Sequence, residues 1–150
     1  MALYVLNEWL WADIVGKNGL PHRREALALI ERLQQSSDQI VIVQGSPFEA
    51  KSFGACKSQD LLTSRIAGVF MKAIRQDLTR CRILGPDEVE PLPEEFRHAG
   101  VKPDDDYLVQ AQRACPEATI VTTDHPLAAI LGKHGVPWLF RDDFLRDYLR

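Results

Sequence analysis

The chain has 150 residues, of which 45% are hydrophobic and 26% are charged, and its formal net charge is −3 at pH 7. That length allows one domain with a substantial core, and the acidic balance excludes a strongly cationic coat for nucleic acid but not a nuclease with a local basic face. Because the N-terminus lacks a basic segment and no apolar run approaches ~20 residues, we expect a cytoplasmic protein without a membrane span.

Apolar patterning in the first half of the chain predicts strands that alternate with helices. Residues 3–6 form a short apolar run that predicts a first strand, and a short helix is expected from there to about Val15. Residues 22–35 carry apolar side chains on one side, which predicts an amphipathic helix. The β-branched run 39–44, QIVIVQ, predicts a strand buried on both faces. Residues 58–78 predict a long helix with its inner side formed by Leu62, Ile66, Val69, Phe70 and Ala73.

The second half repeats this alternation after a proline-containing stretch. Residues 81–103 hold four prolines, so little regular structure is expected there beyond a short strand near 82–84. The remaining elements predicted are a helix opened by PDDDYLVQAQRAC, a strand over 119–122, a helix over 126–133, a strand over 137–140 and a last helix in DDFLRDYLR. Alternating strands and helices predict an α/β fold with a parallel sheet of about four to five strands and helices on both faces.

Acidic and amide side chains follow the predicted strands. In parallel sheets, ligands bind beyond the carboxyl ends of the strands. Carboxylates gathered there would repel one another, and a hard divalent cation such as Mg²⁺ or Mn²⁺ would relieve that repulsion. Such an ion can also activate water for phosphodiester hydrolysis. The candidate residues are Asn7, Glu8, Glu49, Asp104, Asp105, Asp106 and Asp124.

The segment KPDDDYLVQAQRACPEATIVTTD resembles the PIN domain family, the metal-dependent ribonucleases that include VapC-type toxins. GVPWLFRDDFL is similar to the family's last strand and helix, and YVLNEWL stands where the family has its first strand. The resemblance covers nearly the whole chain. It implies a three-layer α/β/α fold, a cluster of three or four acids, Mg²⁺ or Mn²⁺ as cofactor and RNA as substrate. It also implies an antitoxin as protein partner and pairing into a homodimer.

Carried over residue by residue, the resemblance implies Asp124 as the best-matched acid and Glu49 as the helix-borne glutamate. The acid in the 104–106 run stays open: helical phase favours Asp104, whereas the spacing to Asp124 favours Asp105 or its successor. The chain departs from the family after the first strand, where Asn7 replaces an aspartate and Glu8 follows. An amide oxygen can bind a metal, but it brings no charge and cannot act as a base. The departure bears on catalysis more than on the fold.

Each candidate also has a structural explanation. Ser46-Pro47-Phe48-Glu49 matches a helix capping box. Residues 104–106 fit the first turn of a helix, where the helix dipole favours acids. Asp124 fits the cap of the next helix, and Asn7 fits a turn that hydrogen-bonds its own backbone. The competing functions are therefore a ribonuclease, a PIN-like domain that has lost catalysis and serves as a binding or scaffold module, and a weakly matched phosphoacceptor receiver domain.

Basic and aromatic side chains near these acids add further expectations. Lys51 could hold a phosphate or pair with an acid. Trp9 and Trp11 are two residues apart on the first helix, so we expect one of them to be exposed. Four basic side chains fall within about 80° on the predicted 58–78 helix, where they could steer a phosphate backbone or form an ordinary solvated face: Lys57, Arg65, Lys72 and Arg75.

Overall fold

A five-stranded, all-parallel sheet forms the centre of the computed structural model, which describes residues 1–150. Its strands are β1 (Leu3–Leu6), β2 (Gln39–Val43), β3 (Cys81–Leu84), β4 (Ala118–Thr122) and β5 (Trp138–Phe140). They lie side by side in the order β3-β2-β1-β4-β5. The predicted α/β class with a parallel sheet is thus confirmed, and helices on both faces give three layers.

Eight α-helices connect and cover the strands: α1 (Trp9–Ile14), α2 (Leu20–Gln35), α3 (Pro47–Cys56), α4 (Leu61–Phe70), α5 (Glu94–Ala99), α6 (Asp106–Ala114), α7 (His125–Lys133) and α8 (Arg141–Tyr148). Helices α2 and α8 contact each other on one side of the sheet. Helix α6 packs against β1, β2 and β4, and the right-handed crossover rule places it on the opposite face. None of the helices is long and apolar enough to cross a membrane.

The central strands are buried on both faces, as their continuous apolar runs predict. Val5, Ile40 and Ile120 have no exposed surface. In the sheet, Leu6 of β1 lies beside Val121 of β4. Strands β2 and β3 lie on one side of β1, and β4 and β5 lie on its other side. The direction in which strands are added therefore reverses between β1 and β4. This reversal leaves a crevice at the carboxyl ends of these two strands, the usual ligand position in such sheets.

The prediction of one long helix over residues 58–78 is wrong. Helix α3 ends with Lys57 as its C-cap, and α4 begins after Asp60, whose carboxylate accepts a hydrogen bond from the Thr63 N–H at 3.3 Å. A π-helical turn then spans Met71–Arg75. Of the side chains predicted to be inside, Ile66 and Phe70 are buried, whereas Leu62 and Val69 are 45% and 40% exposed.

The proline-containing stretch 81–103 is more ordered than predicted. It contains β3, a 3₁₀ turn over Pro86–Glu88 and the short helix α5. The helix is tied to the core by Phe96, which is buried. Phe96 is the only buried residue of α5, which explains why apolar periodicity did not reveal this helix.

Both tryptophans of α1 are buried, which corrects the expectation that one of them is exposed. Trp9 faces β4 and donates its indole N–H to the Val121 carbonyl at 3.0 Å. Trp11 points the other way and packs edge-on against Phe48 and Phe70, with ring centroids 5.5 and 5.0 Å away. Helix α1 is therefore enclosed on two sides, and two residues that point differently along it both reach the interior.

Candidate metal site at the carboxyl ends of the strands

Asn7 directly follows β1 and joins it to the end of β4. Its main-chain N–H donates to the Val121 carbonyl and its side-chain Nδ2 donates to Thr122 Oγ1, both at 3.0 Å. Its Oδ1 accepts a hydrogen bond from the Glu8 N–H at 2.7 Å. Both polar atoms of the amide are therefore engaged within the protein, and the last of these contacts is the local turn that the sequence suggested.

Asp124 follows β4 and stands at the N-cap of α7. Its Oδ1 accepts a hydrogen bond from the Leu127 N–H at 3.0 Å, and its own N–H donates to Thr122 Oγ1 at 3.0 Å. The capping interpretation of Asp124 is thus realised, although the cap uses only one of its carboxylate oxygens. Thr122, which the sequence analysis did not single out, is fully buried and links Asn7 to Asp124. Its place in the T-x-D segment was the available signal.

The three acids of the 104–106 run lie in different environments. They do not share one α-helix, because a 3₁₀ turn spans Pro103–Asp105 and α6 begins only at Asp106. Asp104 is exposed, Asp105 is half-buried, and Asp106 pairs with Arg97 at 2.6 Å. The preference for Asp104 assumed a regular helical phase, and the 3₁₀ turn instead makes Asp105 the more enclosed acid.

The pKa of Asp105 shows that several of these carboxylates lie close together. Burial, followed by the negative charges of Asp124, Glu8 and Asp104, raises the pKa of Asp105 to about 6. Tyr107 lies next to the same group: its hydroxyl donates to the Leu6 carbonyl at 3.3 Å, and burial with the charges of Glu8 and Asp105 raises its pKa well above the usual range. Carboxylates from the ends of β1 and β4 and from the start of α6 therefore lie within electrostatic reach of one another.

Glu8 belongs to this acidic cluster, which we define as Glu8, Asp104, Asp105 and Asp124. Its carboxylate forms an ion pair with the Lys51 ammonium of α3. The Lys51 side chain is 52% exposed and the Glu8 side chain 21% exposed, so solvent weakens the pair. Of the two roles expected for Lys51, pairing with an acid is the one seen here.

Glu49 is engaged away from the acidic cluster. Its N–H donates to the N-cap Ser46 Oγ at 3.3 Å, and its Oε1 accepts from the Gly45 N–H at 3.1 Å. Its Oε2 accepts from Arg75 Nη2 at 3.2 Å, and its side chain is only 10% exposed. Glu49 thus caps α3 and neutralises Arg75, which removes Arg75 from the basic face expected on the predicted 58–78 helix.

The donor chemistry of the acidic cluster fits a hard divalent cation, because every member offers carboxylate oxygen. The carboxylates are not arranged around a common point, because no group of three or more His, Cys, Asp or Glu side chains is placed to hold a metal ion. Glu8 is held by Lys51, and Asp124 by its cap.

Comparisons with protein family models, with curated proteins and with solved structures find no match to this chain. Function is therefore inferred from the arrangement of the site itself.

Proposed function

We propose that the chain is a Mg²⁺- or Mn²⁺-dependent ribonuclease of PIN type that hydrolyses RNA phosphodiesters. The observation that supports this most is the raised pKa of Asp105, which arises from burial and from the charges of Asp124, Glu8 and Asp104. A cluster with this excess of negative charge favours a divalent cation over a proton near neutral pH. When bound, such a cation activates water and stabilises the charge that develops on the phosphodiester.

The roles follow from the position of each side chain. Asp105 and Asp124 would be the principal ligands, with Glu8 supplying the charge that Asn7 lacks and Asp104 lying at the rim. Lys51 has an exposed ammonium beside Glu8, so it could contact a phosphate oxygen once Glu8 turns toward the ion. The contacts of Glu49 with Gly45 and Arg75 leave it outside this ligand set. By resemblance to toxin ribonucleases, an antitoxin and a second copy of the chain would be its protein partners.

The decisive experiment is a calorimetric titration of Mn²⁺ into metal-free protein, followed by incubation of the loaded protein with single-stranded RNA. We expect wild type to bind and cleave, and Asp124→Asn to lose both. Asp87→Asn is the matched control, because Asp87 is an exposed acid just beyond β3 and the charge change is identical. RNA left intact by wild type with Mn²⁺, while an added control nuclease cuts it, would contradict the proposal.

The second candidate is a PIN-like domain that has lost catalysis and binds RNA or a protein as a scaffold. It is favoured by Asn7, whose amide is occupied by Thr122 and by the Glu8 N–H. This candidate predicts that wild type binds no Mn²⁺ and that Asn7→Asp restores binding. Cleavage by the wild-type chain would exclude it.

A further inference from the structure

A cavity of about 500 Å³ opens beside the acidic cluster, between α1, the start of α7 and the end of β5. It is contiguous with the cluster along the chain at two points. Trp9, which lines it, follows Glu8, and Thr123 and His125, which also line it, flank Asp124. None of the four carboxylates of the cluster lines the cavity itself, so a group bound here would lie beside the proposed hydrolytic site and not in it.

One wall of the cavity is aromatic. The exposed ring of His125 lies 4.5 Å from the half-buried ring of Phe140, centroid to centroid, with an interplanar angle of 42°. Trp9 also lines the cavity, but it is buried and the Arg141 guanidinium lies over its ring, 5.5 Å from the centroid, so the open rings are those of His125 and Phe140. Flat rings with open faces or edges suit a flat ligand, and unstacked nucleobases pack on aromatic and imidazole rings in single-strand recognition.

The charges lining the cavity disfavour phosphate. Arg141 is 3% exposed, and its three guanidinium nitrogens are all bound to carboxylates. These are Asp13 at 2.7 Å, Glu25 at 3.1 Å and Asp142 at 2.6 Å. Three carboxylates thus offset its positive charge, and its two remaining N–H groups belong to a side chain that is only 4% exposed, which makes Arg141 a poor donor to an incoming phosphate oxygen. Asp142 and Asp143 line the same cavity, so its lining presents carboxylate oxygens, which accept hydrogen bonds, beside the imidazoles of His22 and His125.

We propose that this cavity receives one unstacked base of single-stranded RNA and prefers bases that carry an exocyclic amino group. A carboxylate accepts a hydrogen bond from the amino group of cytosine, whereas uracil presents a carbonyl oxygen at the same position, which the carboxylate repels. The inference rests on the proposed function, because it places this base next to the phosphodiester that would be cut. Asp143 would accept the hydrogen bond from the amino group. Its side chain is 52% exposed, and it forms an ion pair only with Arg146, which is itself exposed.

The test uses cytidine and uridine as probes, titrated into ¹⁵N-labelled, metal-free protein with EDTA present. The two nucleosides differ only at C4, which carries an amino group in cytidine and a carbonyl oxygen in uridine, and at the neighbouring N3, which bears a hydrogen only in uridine; neither carries a phosphate. We expect cytidine to shift the resonances of Trp9, Thr123 and His125 saturably, with a dissociation constant at least threefold lower than that of uridine. Asp143→Asn should abolish this preference without unfolding the chain. Phe140→Leu should weaken both nucleosides severalfold, whereas Phe53→Leu, which alters an exposed aromatic side chain on α3, should weaken neither.

Equal responses to cytidine and uridine, or shifts confined to residues away from the cavity, would overturn the proposal. The titration involves no metal and no hydrolysis, so its failure is separable from failure of the nuclease. A chain that cleaves RNA but shows no cytidine response would overturn the base site alone. A chain that binds cytidine here but leaves RNA intact would support the base site and contradict the proposed hydrolysis.

Discussion

Asn7 donates its side-chain N–H to Thr122 Oγ1 at 3.0 Å, which joins the ends of β1 and β4 where the acids converge. The same Thr122 oxygen accepts the N–H of Asp124 at 3.0 Å. An aspartate at position 7 could not donate to Thr122 and would have to accept from its hydroxyl instead. It would also add a negative charge beside Glu8. The amide is thus matched to the metal-free arrangement of this site.

Replacing Asn7 by aspartate should therefore raise the affinity for metal and lower the stability of the metal-free protein. We expect Asn7→Asp to bind Mn²⁺ at least tenfold more tightly than wild type, because a charged ligand is added. In EDTA the variant should be less stable by about 1 kcal/mol, since one buried hydrogen bond is altered and one repulsion is added. Calorimetric titration measures the first effect and urea unfolding the second.

Gln44→Glu provides the control for Asn7→Asp. Gln44 is exposed just beyond β2, so the substitution adds the same charge at the same edge of the sheet but outside the acidic cluster. It should leave Mn²⁺ affinity within twofold of wild type. Equal gains in affinity from both substitutions would show that net charge, and not the position of residue 7, governs binding.

The raised pKa of Asp105 predicts a specific pH dependence of stability. The carboxyl has a pKa of about 6 in the folded chain against its ordinary value of 3.8. The folded state therefore holds this proton more tightly than the unfolded state, and stability falls as pH rises from about 4 to about 6. Asp105→Asn removes the charge, so it should stabilise the metal-free protein by about 1–2 kcal/mol at pH 7.5, after allowance for solvent screening of a half-buried group.

Urea unfolding in EDTA at pH 4.5 and at pH 7.5 measures this difference. The gain from Asp105→Asn should be smaller at pH 4.5, where the folded chain holds this proton and the unfolded chain has only begun to favour losing it, and full at pH 7.5. Asp87→Asn should show no such dependence. A gain that is equal at both pH values would mean that packing or hydrogen bonding at Asp105, and not its charge, sets the stability.

Structural elements that a local apolar pattern specifies were predictable from the sequence, and features set by caps or turns were not. The strands were visible because runs such as QIVIVQ are β-branched and continuous, and the rule for parallel sheets then pointed to their carboxyl ends, whereas the strand order came only from the structure. The inner face of α4 was predicted in part, since Ile66 and Phe70 are buried but Leu62 and Val69 are not. The single helix over 58–78 was wrong because Asp60 caps a new helix and a π-helical turn follows it, and apolar periodicity reveals neither.

The site was partly predictable for the same reason. The positions of Asn7, Asp124 and the 104–106 run in the fold could be predicted because each directly follows a strand or precedes a helix. Glu49 could not be assigned from sequence, since its partner Arg75 lies 26 residues further along the chain. The inward position of Asp105 depends on a 3₁₀ turn, which helical periodicity does not reveal.

The contacts of Glu49 predict that it stabilises the fold without binding metal. Glu49→Gln should lower the free energy of unfolding by about 2 kcal/mol, because it weakens the cap at Gly45 and leaves the half-buried Arg75 charge without its partner. The affinity for Mn²⁺ should stay within twofold of wild type. Asp124→Asn should show the opposite pattern, with affinity lost and little change in stability. A large loss of Mn²⁺ affinity in Glu49→Gln would instead make Glu49 a ligand.

Breaking the buried ion pair between Asp13 and Arg141 should cause the largest loss of stability among these variants. Asp13 has no exposed surface, and Arg141 Nε donates to its carboxylate at 2.7 Å, which ties the start of α8 to α1. Arg141→Met would leave Asp13 buried with only Asn18 as a side-chain partner, at 2.8 Å. Removing one member of a buried ion pair costs about 3–5 kcal/mol, because the other charge stays desolvated.

The double variant Asp13→Leu/Arg141→Met separates this penalty from the value of the pair itself. Because it leaves no charge uncompensated at this position, it should recover much of the stability that Arg141→Met loses in urea unfolding. Arg146→Met is the matched control: Arg146 lies on the same helix, is 61% exposed and pairs only with surface acids, so its midpoint should equal that of wild type. A double variant as unstable as Arg141→Met would show that packing of the arginine stem, and not charge, holds α8 in place.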